Sequence, residues 1–163
     1  MSETGSDHYV CATALGRIHF TLRNQRLVAI DLPGRAGPPV SRPARSGLAG
    51  EVARQLQAFG EDPRFVFDLP IAPQGTEFQC RVWAALRAIP AGEVKTYGEV
   101  ARALGSVARA VGGACRANPL PLVVPCHRVI AASGLGGFAG NSAGPEVELK
   151  RRLLAREGAR LAR

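Results

Sequence analysis

A cysteine followed directly by a histidine and an arginine is the part of this chain best suited to chemistry. Cys126, His127 and Arg128 lie between two apolar runs, 122–124 and 129–132. Such flanks predict a strand buried inside a domain. A thiol, an imidazole and a guanidinium are costly to bury unless they have partners. On these residues alone Cys126 is either a packing residue, as most free cysteines are, or a nucleophilic thiolate.

Positive charge is concentrated in the same half of the chain. Residues 1–75 hold eight Arg against seven acidic residues, a net charge of +1, whereas residues 76–163 hold thirteen Lys or Arg against six, a net charge of +7. A basic region of this kind is typical of proteins that bind a polyanion, most often nucleic acid. A solvated, arginine-rich surface would give the same composition.

The composition argues against several other classes of protein. No apolar run is long enough to span a bilayer, and Met1 to Asp7 is too polar for a signal peptide, so we expect a cytoplasmic protein with no membrane partner. The four cysteines form no Cys-x-x-Cys pair and have no histidine spacing typical of zinc. We therefore expect neither disulfides nor a metal.

The first half of the chain has the pattern of a small antiparallel sheet. Alternating runs predict strands at 9–14, 17–22 and 27–32, with turns at 15–16 and 23–25. After a Pro/Gly-rich loop the pattern predicts a helix at 48–59 and a short strand at 65–69. Pro70 and Pro73 mark a linker, so we predict two domains, 1–72 and 73–163.

Capping signals predict the helices of the second half. Two motifs, Thr76–Gln79 and Thr96–Glu99, each place a Gln or Glu three residues after a threonine. They predict helices that reach about Ile89 and Leu104. Gly105 is placed to end the second of these, and Ser106 to cap a further helix at 107–117. Two short helices joined by a glycine-containing turn predict a helix-turn-helix.

The second helix of this pair is nearly bare of long side chains. Between residues 107 and 115 only Arg109 is long. Reading base edges in the major groove requires several donors and acceptors, so we do not expect this helix to read sequence. Small residues would let it approach DNA closely while Arg109 enters the base stack. They are also consistent with tight packing in a core.

Four motifs in order resemble the O6-alkylguanine-DNA alkyltransferase family: Thr96–Val100, Arg109–Ala114, Asn118–Pro119 and Pro125–Ile130. The match runs from about Gly75 to Gly158. The resemblance implies an α/β protein, with a ribonuclease H-like N-terminal sheet and helix and a C-terminal winged helix-turn-helix domain that carries the active cysteine.

The same resemblance implies the activity and the partner. The alkyl group of O6-alkylguanine, and of O4-alkylthymine, would pass irreversibly to the protein's own cysteine, once per molecule, with base flipping and no cofactor. The partner would be double-stranded DNA that contains alkylated guanine, bound by a monomer in the nucleoid, with cooperativity left open.

Roles for single residues also follow from the resemblance. A water would link the acceptor Cys126 to His127, which Glu157 orients, although Glu157 alone is equally consistent with a surface carboxylate. Tyr97 would stabilise the departing guanine and help to turn the nucleotide outward, and Asn118 would hold the cysteine's turn. The DNA contacts are Thr96, Tyr97, Ala108, Arg109, Ala110, Gly112 and Arg116, with Arg109 filling the vacated stack. The alkylguanine pocket comprises Val129, through its carbonyl, with Gly137, Phe138, Ala139 and Gly140.

Two positions depart from the family pattern. Phe138 stands where tyrosine is common, and Ala139 where a hydroxyl residue can occur. Three other functions fit the sequence less well. A non-catalytic lesion sensor would lack a usable thiol, a transcription regulator is disfavoured by the bare second helix, and a thiol hydrolase leaves Tyr97 and Arg109 without roles.

Overall fold

The computed structural model describes residues 5–34, 37–38, 41–138 and 142–160. The chain forms two compact units, Met1–Gln74 and Gly75–Arg163. The first contains β1 (Asp7–Thr13), β2 (Gly16–Arg23), β3 (Arg26–Asp31), β4 (Arg42–Pro43) and α1 (Gly47–Glu61). The second contains α2 (Glu77–Arg87), β5 (Lys95–Thr96), α3 (Tyr97–Leu104), α4 (Ala108–Arg116), β6 (Val129–Ile130) and α5 (Pro145–Arg156). This is a mixed α/β chain, as predicted. The ribonuclease H-like and winged descriptions stay predictions.

The first unit is built on a four-stranded sheet of order β3-β2-β1-β4, antiparallel except for the β1–β4 pair. The three predicted strands are present. Asn24 and Gln25 both have positive φ, at 51° and 59°, which is the geometry of the tight turn that the right-handed twist of a hairpin favours. The core of this unit includes Ile18 and Phe20 of β2 and Leu56 of α1.

The strand predicted at 65–69 is absent from the structure. The backbone amide of Asp68 donates to the Gln55 side chain at 2.9 Å, and its carbonyl accepts from Gln55 Nε2 at 3.0 Å. A buried side chain of α1 therefore supplies the hydrogen bonds that a neighbouring strand would have supplied.

The described part of the second unit contains four α-helices, of which α2 and α3 begin at residues that the sequence marks. Thr76 and Gln79 form the predicted capping box at the start of α2, and Thr96 Oγ1 accepts from the Glu99 amide at 3.1 Å at the start of α3. Gly105 ends α3 in the left-handed conformation, as predicted. The predicted cap at Ser106 is wrong: the Ser106 amide donates to the Ala101 carbonyl and so closes α3, and α4 begins after Val107.

The segment around the Cys-His-Arg sequence is buried, as predicted, but it is not a strand. Residues 126–128 form one turn of 3-10 helix, and only Val129 and Ile130 are extended, paired in parallel with β5. The core of this unit includes Val82, Val111 and Leu153. Within the described residues, no helix has both the length and the apolarity needed to cross a membrane.

Candidate active site

Asn118 holds the turn that leads to Cys126. Its side-chain oxygen accepts from the Leu120 amide at 2.9 Å, and its Nδ2 donates to the Val124 carbonyl at 2.9 Å. Leu122, within this loop, has a φ of 78°, which is strained for a branched side chain. One partly buried side chain thus replaces backbone pairing and fixes a bend, which explains why the apolar run does not continue as a strand.

Cys126 lies at the start of the 3-10 turn, with 5% of its surface exposed. Burial raises the pKa of its thiol. A hydrogen bond from the Asn118 side chain and the positive charge of Lys150 act in the opposite direction. The thiolate therefore has two partners that can stabilise it once a base has taken the proton.

His127 and Glu157 form a fully buried pair. His127 Nε2 lies 2.9 Å from Glu157 Oε1, and neither side chain is exposed. An ionised carboxylate only accepts hydrogen bonds, so the proton of a neutral imidazole sits on Nε2 and the lone pair on the buried Nδ1. Burial lowers the pKa of His127 despite the opposing effect of Glu157. The histidine is therefore in the form that accepts a proton.

Glu157 also accepts from Arg128. Arg128 Nη2 donates to Glu157 Oε1 at 2.9 Å, and Nε lies 3.3 Å from both carboxylate oxygens. Burial raises the pKa of Glu157, but the hydrogen bonds from His127 and Arg128 outweigh it and the net direction is downward. The carboxylate at the C-terminal cap of α5 is thus held as an anion.

Lys150 is a buried cation that the sequence interpretation missed. Its Nζ donates to the carbonyls of Val129 at 2.7 Å and Gly137 at 2.8 Å, and its side chain is fully buried. Burial lowers its pKa to about 8, although the charges of Cys126 and Cys115 act against this. Lys150 therefore joins the strand after the cysteine to the loop at 137 and places a positive charge near the thiol.

Tyr97 begins α3 and lies beside the glycine-containing loop. A Cβ at Gly136 would be 3.4 Å from Tyr97 Cε2 and 3.1 Å from the Ala131 amide, and Gly136 has a φ of +75°. Glycine therefore permits the close approach of this loop to the tyrosine. Burial, followed by the charges of Cys115 and Cys126, raises the pKa of Tyr97 to about 12, so it keeps its proton and can donate.

The predicted pocket residues lie in part around this cluster. Phe138 is buried, with its ring 6.4 Å from the ring of His127 at an angle of 81°. The carbonyls of Val129 and Gly137 are the two acceptors of Lys150. A carbonyl has two lone pairs, so the Val129 carbonyl can accept a second donor. Ala139 and Gly140 lie outside the described residues.

The residues predicted to contact DNA lie on α4 and at the start of α3. Val111, Ala114 and Cys115 face the core, whereas Ala108, Arg109 and Arg116 are exposed and Ala110 and Gly112 are partly so. A Cβ at Gly112 or Gly113 would meet nothing within 4 Å. Gly112 and Gly113 therefore lie on an open surface and do not serve tight packing, whereas Ala114 lies in the core. Thr96 acts locally as the cap of α3.

Two side chains of α2 fix the helix pair. Trp83 Nε1 donates to the Ala114 carbonyl at 2.9 Å, and Arg81 Nη2 donates to the Leu104 carbonyl at 3.2 Å. Both acceptors lie near helix ends, where carbonyls lack partners within the helix. Trp83 is thus a packing residue that also anchors α4.

The described residues contain no cluster of three or more His, Cys, Asp or Glu that could hold a metal ion. In the first unit, His8 Nδ1 lies 3.0 Å from Thr21 Oγ1 and His19 Nδ1 lies 3.1 Å from Ser41 Oγ. These two histidines have structural partners in the sheet and the loop beside it.

One sequence signal could have identified Lys150. The buried face of α5 includes Val147, Leu153 and Leu154. Lys150 follows Val147 by three residues and precedes Glu157 by seven, so both charges fall on the apolar stripe of this helix. A charge on such a stripe is costly unless it is paired, and so marks a buried polar site. Arg128 offered no comparable signal beyond its apolar neighbours.

Comparison with known proteins gives concordant results. Residues 77–159 match the family model of the 6-O-methylguanine DNA methyltransferase DNA-binding domain. A methylated-DNA-protein-cysteine methyltransferase of Methanosarcina acetivorans is 46% identical over 111 residues, which cover 66% of this chain and 68% of that one.

Solved structures agree over nearly the whole chain. The crystal structure of Mycobacterium tuberculosis O6-methylguanine methyltransferase superposes with a TM-score of 0.78 at 34% identity, covering 94% of this chain and 93% of that one. A structure of Mycobacterium tuberculosis OGT in complex with DNA gives a TM-score of 0.74 at 33% identity, covering 93% and 92%. The chain belongs to the methylated-DNA-protein-cysteine methyltransferase family.

Proposed function

We propose that this protein repairs DNA by moving the alkyl group of O6-alkylguanine, and of O4-alkylthymine, to Cys126. The observation that carries the proposal is the turn at 126–128, which sets a buried thiol among Asn118, the His127–Glu157 pair and Lys150. Displacement at an sp³ carbon requires a soft, strong nucleophile, and a thiolate meets that need without a cofactor.

Formation of the thiolate is the first step. His127 holds its proton on Nε2, so Nδ1 is the nitrogen able to take the thiol proton, through a bridging water. Glu157 stabilises the imidazolium that forms, in the manner of the third member of a catalytic triad. Lys150 and Asn118 stabilise the charge left on sulfur.

Transfer of the alkyl group follows. The Cys126 sulfur forms a bond to the alkyl carbon as the bond from that carbon to O6 breaks, and the electron pair of the broken bond moves into the guanine ring. Tyr97, which keeps its proton at neutral pH, donates a hydrogen bond to this developing charge. The Val129 carbonyl orients the guanine edge. The thioether product has no route back to a thiol here, so each molecule acts once.

Access to the alkyl group requires the nucleotide to leave the stack. The open face of α4 supports close approach to DNA, with Ala108, Ala110, Gly112, Arg116 and the start of α3 against the backbone. Arg109 fills the vacated place, which offsets a flipping cost of a few kcal/mol. A relative of this chain has been solved in complex with DNA. Binding by a monomer to damaged DNA of the nucleoid should weaken as salt rises.

The test is incubation of the full chain with a duplex that carries one O6-methylguanine, followed by trypsin digestion and mass spectrometry. Cleavage after Arg116 and Arg128 yields residues 117–128, which contain Cys126 and no other cysteine. We expect one methyl group on this peptide and none on the peptides of Cys80 or Cys115.

Two variants serve as controls. Cys126→Ser should take up no methyl group, whereas Cys80→Ser, which changes an exposed thiol, should react like the native chain. An unmethylated 117–128 peptide after complete binding of the duplex, or methylation at Cys80, would overturn the proposal.

A further inference from the structure

We infer that Arg128 is a positioning residue for the base His127: its guanidinium holds Glu157 as an anion in one orientation and thereby keeps the imidazole neutral, with its proton on Nε2. The inference rests on the proposed function in one respect, since it concerns the residue that would activate Cys126. It deepens that function by adding a residue that does not touch the substrate.

Arg128 is hydrogen-bonded on two sides. Its Nη1 donates to the Ile89 carbonyl, just beyond α2, at 2.8 Å, while Nε and Nη2 donate to Glu157 at the end of α5. The side chain is only 10% exposed. A planar guanidinium bonded at both ends has little freedom to rotate, so the carboxylate that it contacts is fixed with it.

The two residues share one carboxylate oxygen. Glu157 Oε1 accepts from His127 Nε2 at 2.9 Å and from Arg128 Nη2 at 2.9 Å. In a buried site a carboxylate and an imidazole alone can place a proton on either member. A guanidinium keeps its charge at all accessible pH values, so it favours the ionised form of the Glu157 carboxylate. The carboxylate then carries no proton, and the proton between the two groups stays on His127 Nε2.

Arg128 also acts on the imidazole through its charge. Burial lowers the pKa of His127, Glu157 raises it, and the charges of Arg128 and Lys150 lower it further. These groups come from the turn itself and from α5, and the adjacent Cys126 is a further titratable neighbour. Without Arg128, less positive charge would oppose the upward effect of the Glu157 carboxylate on the pKa of His127. The His127–Glu157 pair would then bind an additional proton at higher pH, whichever member carries it.

The consequence for the reaction has a definite sign. A protonated pair cannot accept the thiol proton, so the rate falls as pH drops through the pKa of the pair. Loss of a cation within hydrogen-bond distance of one member should move that point upward by about one unit or more. The rate at high pH should approach that of the native chain, because the base itself is intact.

The experiment measures the imidazole nitrogens by ¹⁵N NMR in the full chain across pH, without DNA. Three histidines are present, and the signals of His127 are assigned by their loss in His127→Gln. We expect the native ring to be neutral at pH 7, with Nε2 protonated. In Arg128→Met the ring or its partner should take up a proton at a pH about one unit higher than in the native chain. The acid limb of the methyl-transfer rate should move by the same amount.

Two further variants separate electrostatic from structural effects. Added to Glu157→Gln, the Arg128→Met change should raise the pH of proton uptake less than it does in the native chain, because only the direct action of the Arg128 charge on the imidazole is then lost. Arg128→Lys keeps the charge but not the paired geometry, so it should raise the pH of proton uptake by the His127–Glu157 pair less than Arg128→Met does. If Arg128→Met does not fold, the shift in Arg128→Lys is the measurement that tests the inference. An unmoved His127 titration in the folded variants, or a rate lowered equally at every pH, would reduce Arg128 to a structural role.

The NMR measurement keeps this inference apart from the proposed function. If the native chain fails to take a methyl group from DNA while His127 titrates as described, the repair function fails and the role of Arg128 stands. If methyl transfer occurs but the His127 titration is the same in Arg128→Met as in the native chain, the repair function stands and the role of Arg128 fails.

Discussion

The turn at 126–128 and the open face of α4 lie in the same unit and are built in opposite ways. Every side chain of the turn is buried, and His127, Arg128 and their partner Glu157 are joined by direct hydrogen bonds. The face of α4 that includes Gly112 and Gly113 has no atoms near where a Cβ would stand. The turn therefore contains many polar contacts, whereas the face of α4 at Gly112 and Gly113 has no side chains.

This difference separates two physical tasks. Activation of a thiol needs fixed charges in a site with little water, where electrostatic interactions are strong and an unpaired group is costly. Contact with a DNA backbone along a helix needs space, because each long side chain keeps the two surfaces apart. Changes in the turn should therefore alter reactivity without DNA, whereas changes on α4 should alter reactivity only when DNA is present.

The largest effect is expected for Lys150→Met. The variant removes the positive charge beside Cys126 and the donor shared by the carbonyls of Val129 and Gly137. A shift of one to two units in the thiol pKa corresponds to about 10- to 100-fold less thiolate, and the freed loop adds to the loss. The rate of iodoacetamide modification of Cys126 at pH 7.5 measures the first effect, and methyl transfer from DNA measures both.

Lys95→Met is the matched control, because Lys95 is the other lysine of the chain and is exposed on β5. Its iodoacetamide rate should equal that of the native chain. Equal iodoacetamide rates for the native and Lys150→Met chains would show that the charge of Lys150 does not lower the pKa of the Cys126 thiol. The electrostatic explanation of the difference between the turn at 126–128 and α4 would then be wrong.

Local signals in the sequence predicted most of the elements. The capping box at Thr76, the cap at Thr96 and the left-handed Gly105 each depend on residues within one helical turn, so the sequence alone determines them. The two-residue turn at 24–25 is local in the same sense. The family resemblance added the expectation that residues 75–158 as a whole are similar to the alkyltransferases.

The remaining errors have a common cause, which is competition from distant partners. Residues 65–69 would suit a strand, but Gln55 takes the backbone hydrogen bonds of Asp68. The apolar runs on either side of residues 126–128 would suit a strand, but Asn118 bends the chain before them. Lys150 is a charged residue in a helix with three other cations nearby, and its burial depends on carbonyls that are 13 and 21 residues away. Patterns of period two or 3.6 contain no such information.

An intermediate effect is expected for Arg109→Ala, confined to duplex DNA. Arg109 is exposed on α4, so its loss should change the free energy of unfolding by less than about 0.5 kcal/mol. If it fills the vacated stack, its loss should slow methyl transfer from a duplex by about 30-fold, equivalent to about 2 kcal/mol of the flipping cost.

The free base O6-methylguanine is the control substrate for Arg109→Ala, because it needs no flipping. Its reaction with Cys126 should be unchanged. Equal losses with duplex and free base would place the effect of Arg109 in the thiol's surroundings and contradict the separation of the two regions.

The smallest effect is expected for Gly112→Leu, and it has opposite signs in the two assays. Leucine is the better helix former, and nothing lies within 4 Å of its Cβ, so the variant should be more stable than the native chain by about 0.8 kcal/mol in urea unfolding. The same side chain would hold α4 away from a DNA backbone, so affinity for a duplex should fall about tenfold, or about 1.4 kcal/mol. Gly112→Ala is the matched control, since it brings the helix gain with a single methyl group and should bind nearly as the native chain does. If leucine and alanine bind DNA equally well, the open face of α4 is not the surface that meets DNA.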